Sequence, residues 1–260
     1  MSAATVLVEV KNNVAFVTLN RPEVANTMDL AFGRDLYAAA LRCESDAAVR
    51  AIVLTGSGKS FCFGGDLKGM MASGGNVTAY LRELTSYLHN AIAHFMRMDA
   101  PVIAAVNGTA AGAGVGLVAM ADLAIAAAGA KFALAYTGVG LTPDGSTSFL
   151  LPRLVGYKRA MELILTNRTL TAAEALDWGM VNQVVPDEQL LAAATQLAEK
   201  LAAGPRGAYG ASKRLLLQSE PGLESQLAAE SLSIARQGDS PEGQEGIRAF
   251  LDKRKPAYPR

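Results

Sequence analysis

Two glycine-centred segments constrain this chain more than anything else in it: Phe61-Cys62-Phe63-Gly64-Gly65-Asp66-Leu67 and Asn107-Gly108-Thr109-Ala110-Ala111-Gly112-Ala113-Gly114. Each follows a short apolar strand and opens a helical stretch, so the backbone must turn sharply where glycine turns most easily. Two such turns can aim two backbone N–H groups at one carbonyl oxygen, and the second adds the partial positive charge of a helix N-terminus. The pair reads as an oxyanion-binding device, which implies chemistry through an enolate-like intermediate. Gly112-Ala113-Gly114 does not extend to a Gly-x-Gly-x-x-Gly run after a first strand with a later ribose-binding acid, which sets a dinucleotide loop aside.

Half of the 260 residues are apolar, enough for a full core in one large or two small domains. Lys and Arg (24) balance Asp and Glu (24), and the longest basic cluster is Lys253-Arg254-Lys255, so nucleic acid is not an expected partner. Cys43 and Cys62 are the only cysteines, too few for a disulfide framework, and a reducing, cytoplasmic location is expected. Met1-Ser2-Ala3-Ala4-Thr5 lacks a basic segment followed by an apolar run. The most apolar region, 102–128, is interrupted by Asn107, several glycines and Asp122, so it is read as buried core and no membrane association is expected.

The patterns Val6–Val10 and Val14–Leu19 around Lys11-Asn12-Asn13 predict a hairpin, followed by a helix from about Met28 to Arg42 and a strand Ala51–Thr55. Leu81, Leu84, Leu88, Ile92 and Phe95 recur at helical spacing and predict a long amphipathic helix, closed by Pro101. Strand Val102–Val106, the second glycine segment, an Ala-rich helix and strand Asp122–Ala126 repeat the cycle. From Asp187 on only helical patterns remain, near 187–203, 207–218, 223–236 and 241–252, separated by Gly204-Pro205 and Pro221-Gly222.

Taken together, Val17-Thr18-Leu19-Asn20-Arg21-Pro22, Ser60–Leu67, Pro101–Gly108, Ala130-Lys131-Phe132, Trp178-Gly179-Met180-Val181 and Phe250–Arg254 resemble the crotonase superfamily, the enoyl-CoA hydratase/isomerase group, over nearly the whole chain. The resemblance implies an α/β fold, a crotonase-like spiral of strand-strand-helix units, with the acyl-CoA site in residues 1–200 and a helical region for trimers or hexamers in 201–260. It implies an acyl-CoA thioester as substrate, no cofactor apart from the coenzyme A of that substrate, and no metal. It assigns the oxyanion N–H groups to Gly65 and Ala113, and it places Gly116 and Tyr136 where hydratases carry two glutamates. Adding water across a double bond needs one group to activate water and another to handle the proton, so a chain lacking both should be a poor hydratase.

A carboxylate remains at Asp144, where the resemblance to ring-epoxide and enoyl isomerases and to 4-chlorobenzoyl-CoA dehalogenases implies a functional acid. An isomerase moving a double bond or opening a ring system next to the thioester is therefore expected, with Asp144 carrying the proton. The alternatives are a hydrolytic aryl-CoA dehalogenase, with Asp144 as nucleophile and His89 activating water; a residual hydratase; and a non-catalytic CoA-binding scaffold. Tyr136 stands where the dehalogenases have a Trp beside the halide. For coenzyme A the resemblance points to the backbone of Glu23, Val24 and Ala25, to Cys62 and Asp66, and to Lys68 with Phe250 and Lys253 of the next subunit. Plainer readings stand beside these: Asp144 as a turn or helix cap, His89 as a solvated helical histidine, Cys62 as a small buried side chain, the lysines as surface charges.

Overall fold

The computed structural model describes residues 4–72, 74, 76–219 and 222–259. Residues 1–3, Ser73, Gly75, Glu220, Pro221 and Arg260 lie outside the described residues, and with them parts of the N-terminal segment and of the Pro221-Gly222 punctuation.

Strands β1 (Val6–Lys11) and β2 (Val14–Leu19) form the expected hairpin, with Val6 opposite Leu19 and Lys11 opposite Val14. Asn12 and Asn13 both take positive φ (50° and 64°), as a two-residue hairpin turn with the right twist requires. Helix α1 (Leu30–Ser45) starts two residues later than the sequence pattern suggests, because the Asp29 carboxylate accepts from the Phe32 N–H at 2.8 Å and fixes the start there.

Three passes of strand, strand and helix then follow. The first is β3 (Ala51–Gly56), β4 (Ser60–Cys62), the short α2 (Leu67–Met71) and the long α3 (Val77–Arg97); the second is β5 (Val102–Val106), β6 (Thr109–Ala111) and α4 (Ala113–Met120); the third is β7 (Leu123–Ala127), β8 (Lys131–Ala133) and α5 (Thr147–Val155). Helix α6 (Tyr157–Thr166), β9 (Leu170–Thr171), α7 (Ala172–Asp177) and β10 (Gln183–Val185) complete the mixed part. The first strand of each pass enters a six-stranded sheet of order β1-β2-β3-β5-β7-β10, parallel except for the opening hairpin, and the second enters a four-stranded sheet of order β4-β6-β8-β9. The chain is thus a spiral of strand-strand-helix units, a mixed α/β fold.

Both glycine segments contain a strand. β4 and β6 pair with each other in parallel, Ser60 opposite Thr109 and Cys62 opposite Ala110, and this long-range pairing is what makes three residues extended in each. Asp122 does not open its strand: its Oδ2 accepts from the Val102 N–H at 2.8 Å, and β7 begins one residue later. Helix α4 has all eight residues buried and sits at the centre of the molecule between the sheets and α5.

After β10, helices α8 (Leu190–Ala202), α9 (Arg206–Leu217), α10 (Leu223–Asp239) and α11 (Pro241–Leu251) follow the four helical patterns. α8 lies on β3, β5 and β7 with Ala194 and Ala198 fully buried. α9 is fastened to the end of α3: Lys213 Nζ donates to Phe95 O and Ala100 O, both at 3.1 Å, and pairs with Asp122 Oδ2 at 2.7 Å. Burial works against both charges, raising the Asp122 carboxyl and lowering the Lys213 ammonium, so each is held charged by the other. Removing one partner of such a pair costs about 3–5 kcal/mol. Lys213→Met is therefore expected to lose several kcal/mol of unfolding free energy in a denaturant titration, and Asp122→Asn a comparable amount.

Candidate active site

Glycines bring three backbone segments together where a side chain would keep them apart. A Cβ on Gly64, whose φ is +79°, would stand 2.9 Å from Ala111 O and 3.2 Å from Ala113 N, so the first glycine turn lies directly on the second. On α4, a Cβ at Gly114 would stand 2.2 Å from Cys62 O and one at Gly116 would stand 2.1 Å from Gly145 O. Helix α4 thus carries β4 on one side and the loop of Asp144 on another, each at backbone contact.

The two expected oxyanion amides open on one cavity. Met28 N donates to Gly64 O at 2.7 Å and Asp66 N donates to Met28 O at 2.9 Å, which leaves the Gly65 N–H on the far side of that bridge. Ala113 is the first residue of α4, preceded by Gly112 at φ 51° and ψ −125°, a conformation reserved to glycine. Among the described residues neither the Gly65 nor the Ala113 N–H has an acceptor in the surrounding turns and strands. Both residues line a cavity of about 300 Å³ together with Tyr136 and Asp144, and the rest of its wall is mostly apolar: Met28, Leu81, Leu84, Leu88, Leu134 and Leu141 among others.

Asp144 is held by its backbone and offers its carboxylate to the cavity. Its carbonyl oxygen accepts from Thr147 N at 3.1 Å and Thr147 Oγ1 at 2.6 Å, and Thr147 is fully buried. The plain reading of Asp144 as a side-chain helix cap is not what the structure holds: Ser146 occupies the cap position of α5, at φ 71°, and no side chain caps that helix. Instead Asp144 Oδ1 accepts from the Tyr136 hydroxyl at 2.7 Å, and Oδ2 lies 3.9 Å from His89 Nε2. Tyr136 reaches in from a kink at Ala135, which has φ 58°. Burial, reinforced by the negative charge of Asp144, pushes its hydroxyl pKa far above the ordinary range, so Tyr136 is a neutral donor. His89 is half-exposed, and the Gly145 N–H donates to its Nε2 at 3.4 Å.

The residues expected around coenzyme A fall in two places. Glu23 and Val24 form an exposed turn after Pro22, but Ala25 O accepts from the Phe63 N–H at 3.1 Å, so that carbonyl ties the turn to the first glycine segment. Asn26, fully buried, fastens the same turn by donating to Ser57 O, Ser60 O and Phe61 O. The Asp66 carboxylate caps α2, accepting from Gly69 N at 3.0 Å, and pairs with Arg21 at 3.3 Å. Cys62 is buried and its Sγ donates to Asn26 O at 3.1 Å; burial pushes the thiol up to about 12, which removes it as a nucleophile. Lys68 is exposed on α2. Phe250 and Lys253, exposed at the end of α11, do not line the cavity of their own chain. Among the described residues no group of acidic, His or Cys side chains is placed to hold a metal.

The spiral α/β fold thus brings two backbone amides and one carboxylate to the wall of one mostly apolar cavity. The enoyl-CoA hydratase/isomerase family model matches residues 9–260, and the chain belongs to that family, the crotonase superfamily. It is 42% identical to a probable enoyl-CoA hydratase of Rhodobacter capsulatus over 99% of both chains, 38% identical to the 1,2-epoxyphenylacetyl-CoA isomerase of Escherichia coli over 97% of both, and 36% identical to 4-chlorobenzoyl coenzyme A dehalogenase-2 of an Arthrobacter species over 95% of this chain and 90% of that one. The crystal structure of an enoyl-CoA hydratase from Polaromonas superposes with a TM-score of 0.93 at 33% identity, covering 98% of this chain and 99% of that one.

Gly116 sets where the Asp144 loop can rest, because any Cβ there meets a backbone carbonyl that has no rotamer to escape into. Overpacking of this kind costs about 1–3 kcal/mol when the neighbour must shift. Gly116→Ala is expected to lower the melting temperature and to reduce turnover while leaving KM nearly unchanged, read by thermal melts and steady-state kinetics on the same preparation.

Proposed function

We propose that the protein is an acyl-CoA isomerase that moves the double bond of a 3-enoyl-CoA to the 2-position, or opens a ring-epoxide system, through a thioester enolate. The observation that carries this reading is a single carboxylate, Asp144, lining the cavity of the Gly65 and Ala113 amides, and the family resemblance, which puts Gly116 and Tyr136 where hydratases carry glutamates, supports it. The two N–H groups, one of them at the N-terminus of α4, take the thioester oxygen as negative charge develops there. Asp144 removes the α proton to give a dienolate and the carboxyl group delivers a proton at the γ carbon, so one acid-base residue serves both steps. Tyr136 holds Oδ1 and leaves Oδ2 for the proton.

Coenzyme A supplies the thioester and belongs to the substrate. Its phosphates are assigned to Lys68 and to Phe250 and Lys253 of a neighbouring subunit, which makes the site dependent on a trimer or a pair of trimers. Leu223, Ile234, Phe250 and Leu251 are each more than two-thirds exposed on α10 and α11, surface that a closed threefold assembly would cover. Light scattering at micromolar concentration is expected to give a multiple of three chain masses, and a monomer would refute the assembly.

A second reading, hydrolytic aryl-CoA dehalogenation, draws on the approach of His89 to Asp144, since that reaction needs a carboxylate nucleophile and a base for water. Chloride release from 4-chlorobenzoyl-CoA tests it directly. For the isomerase, crotonyl-CoA should be hydrated at least about 100-fold more slowly than a matched 3-enoyl-CoA is isomerised, the order of loss when an acid-base group is missing. Asp144→Asn is expected to lower isomerisation by about two to four orders of magnitude with substrate affinity nearly intact. An Asn variant with near wild-type turnover would overturn the assignment of the proton to Asp144.

A further inference from the structure

Asp144 lines two spaces, of which the second carries the larger share of polar groups. On one side is the apolar cavity of the oxyanion amides; on the other, a separate open cleft of about 560 Å³ between α3, α5 and the end of α9. His89, Arg97, Ser146, Ser148 and Gln218 put polar groups into the wall of that cleft, and none of the five lines the acyl cavity. Ser146 lies in that wall with its hydroxyl oxygen itself buried and without a hydrogen-bond partner among the described residues. Asp144 Oδ2, the oxygen that Tyr136 leaves free, is the one facing His89 at 3.9 Å, a gap that one water or a small movement of the half-exposed ring closes.

We propose that this rear cleft is a water port through which the proton held by Asp144 exchanges with solvent between its removal and its return. The inference rests on the isomerase reading and adds a route to it. In the balanced cycle the proton leaves the α carbon for the Asp144 carboxylate, and the C–H electron pair passes into the dienolate with its charge on the thioester oxygen. The carboxyl proton then passes to water in the cleft, directly or by way of His89 Nε2, and a solvent proton replaces it. That second proton forms the new bond at the γ carbon as the dienolate electrons return. Nothing is oxidised or reduced, and water is regenerated. An apolar acyl cavity alone would favour return of the same proton, because a bound acyl chain excludes water from that side.

Isomerisation of trans-3-hexenoyl-CoA in D2O, with deuterium in the product counted by mass spectrometry, tests the port. Wild-type enzyme is expected to place close to one deuteron at the γ carbon of each product molecule. Ser148→Trp, at an exposed position of the cleft wall, and Ala93→Trp, facing the cleft from α3, are expected to keep turnover within about twofold of wild type while lowering deuterium incorporation about fivefold, as internal return takes over. Unlabelled product from the wild type, or unchanged labelling in both tryptophan variants, would overturn the port while leaving the isomerase reading in place. Absence of isomerisation would overturn that reading instead, and the port is then read from deuterium wash-in at the α carbon of an arylacetyl-CoA, which needs only proton removal and return. There too, wash-in by the wild type that the tryptophan variants do not slow overturns it.

Discussion

Backbone meeting backbone on helix α4 is the contact on which the rest of the molecule depends. Gly64 rests against the Ala111 carbonyl, Gly114 against the Cys62 carbonyl, and Gly116 against the Gly145 carbonyl, each too close for a Cβ to fit without a shift. These contacts bind the three passes of the spiral to one buried helix, and they bring its N-terminal amide, the Gly65 amide and the Asp144 loop to the walls of a single cavity. Position here is fixed by main chain, which has few ways to yield, and the oxyanion role proposed for the two amides needs that stiffness.

Charge in the site is sparse and each charged or polar group has a distinct environment. The wall around Asp144 and the two amides is mostly leucine and methionine, a medium that weakens electrostatic interactions little. Tyr136 contributes a hydroxyl that burial keeps neutral, which fixes one carboxylate oxygen without adding charge. The strain sits in the same place: Ala135 and Ser146 both take positive φ without being glycine, one on each side of the loop that presents the acid.

What the sequence displayed was local. The hairpin, the long amphipathic helix and the helical end are readable because turn chemistry and apolar period lie within a few residues of each other, and the glycine segments, with Asp144 between turn residues, mark themselves by composition. What it did not display depends on residues far apart. The pairing of β4 with β6, the Gly116 to Gly145 contact and the Tyr136 to Asp144 hydrogen bond join segments that no periodicity links. The stripe Leu81, Leu84, Leu88 shows the limit most clearly: its period says that this face of α3 turns inward, but period does not distinguish a packed interior from a hollow one, and these residues line the cavity.

The contact between Gly116 and Gly145 also bears on how such a chain changes its chemistry over generations. An acid introduced on α4 at residue 116 would displace the loop that carries Asp144, so the two ways of arming this cavity compete for the same volume. A lineage passing from one to the other must alter helix and loop together, because an acid gained at 116 alone pushes the Asp144 loop out of place and Asp144 lost alone leaves the cavity without its acid.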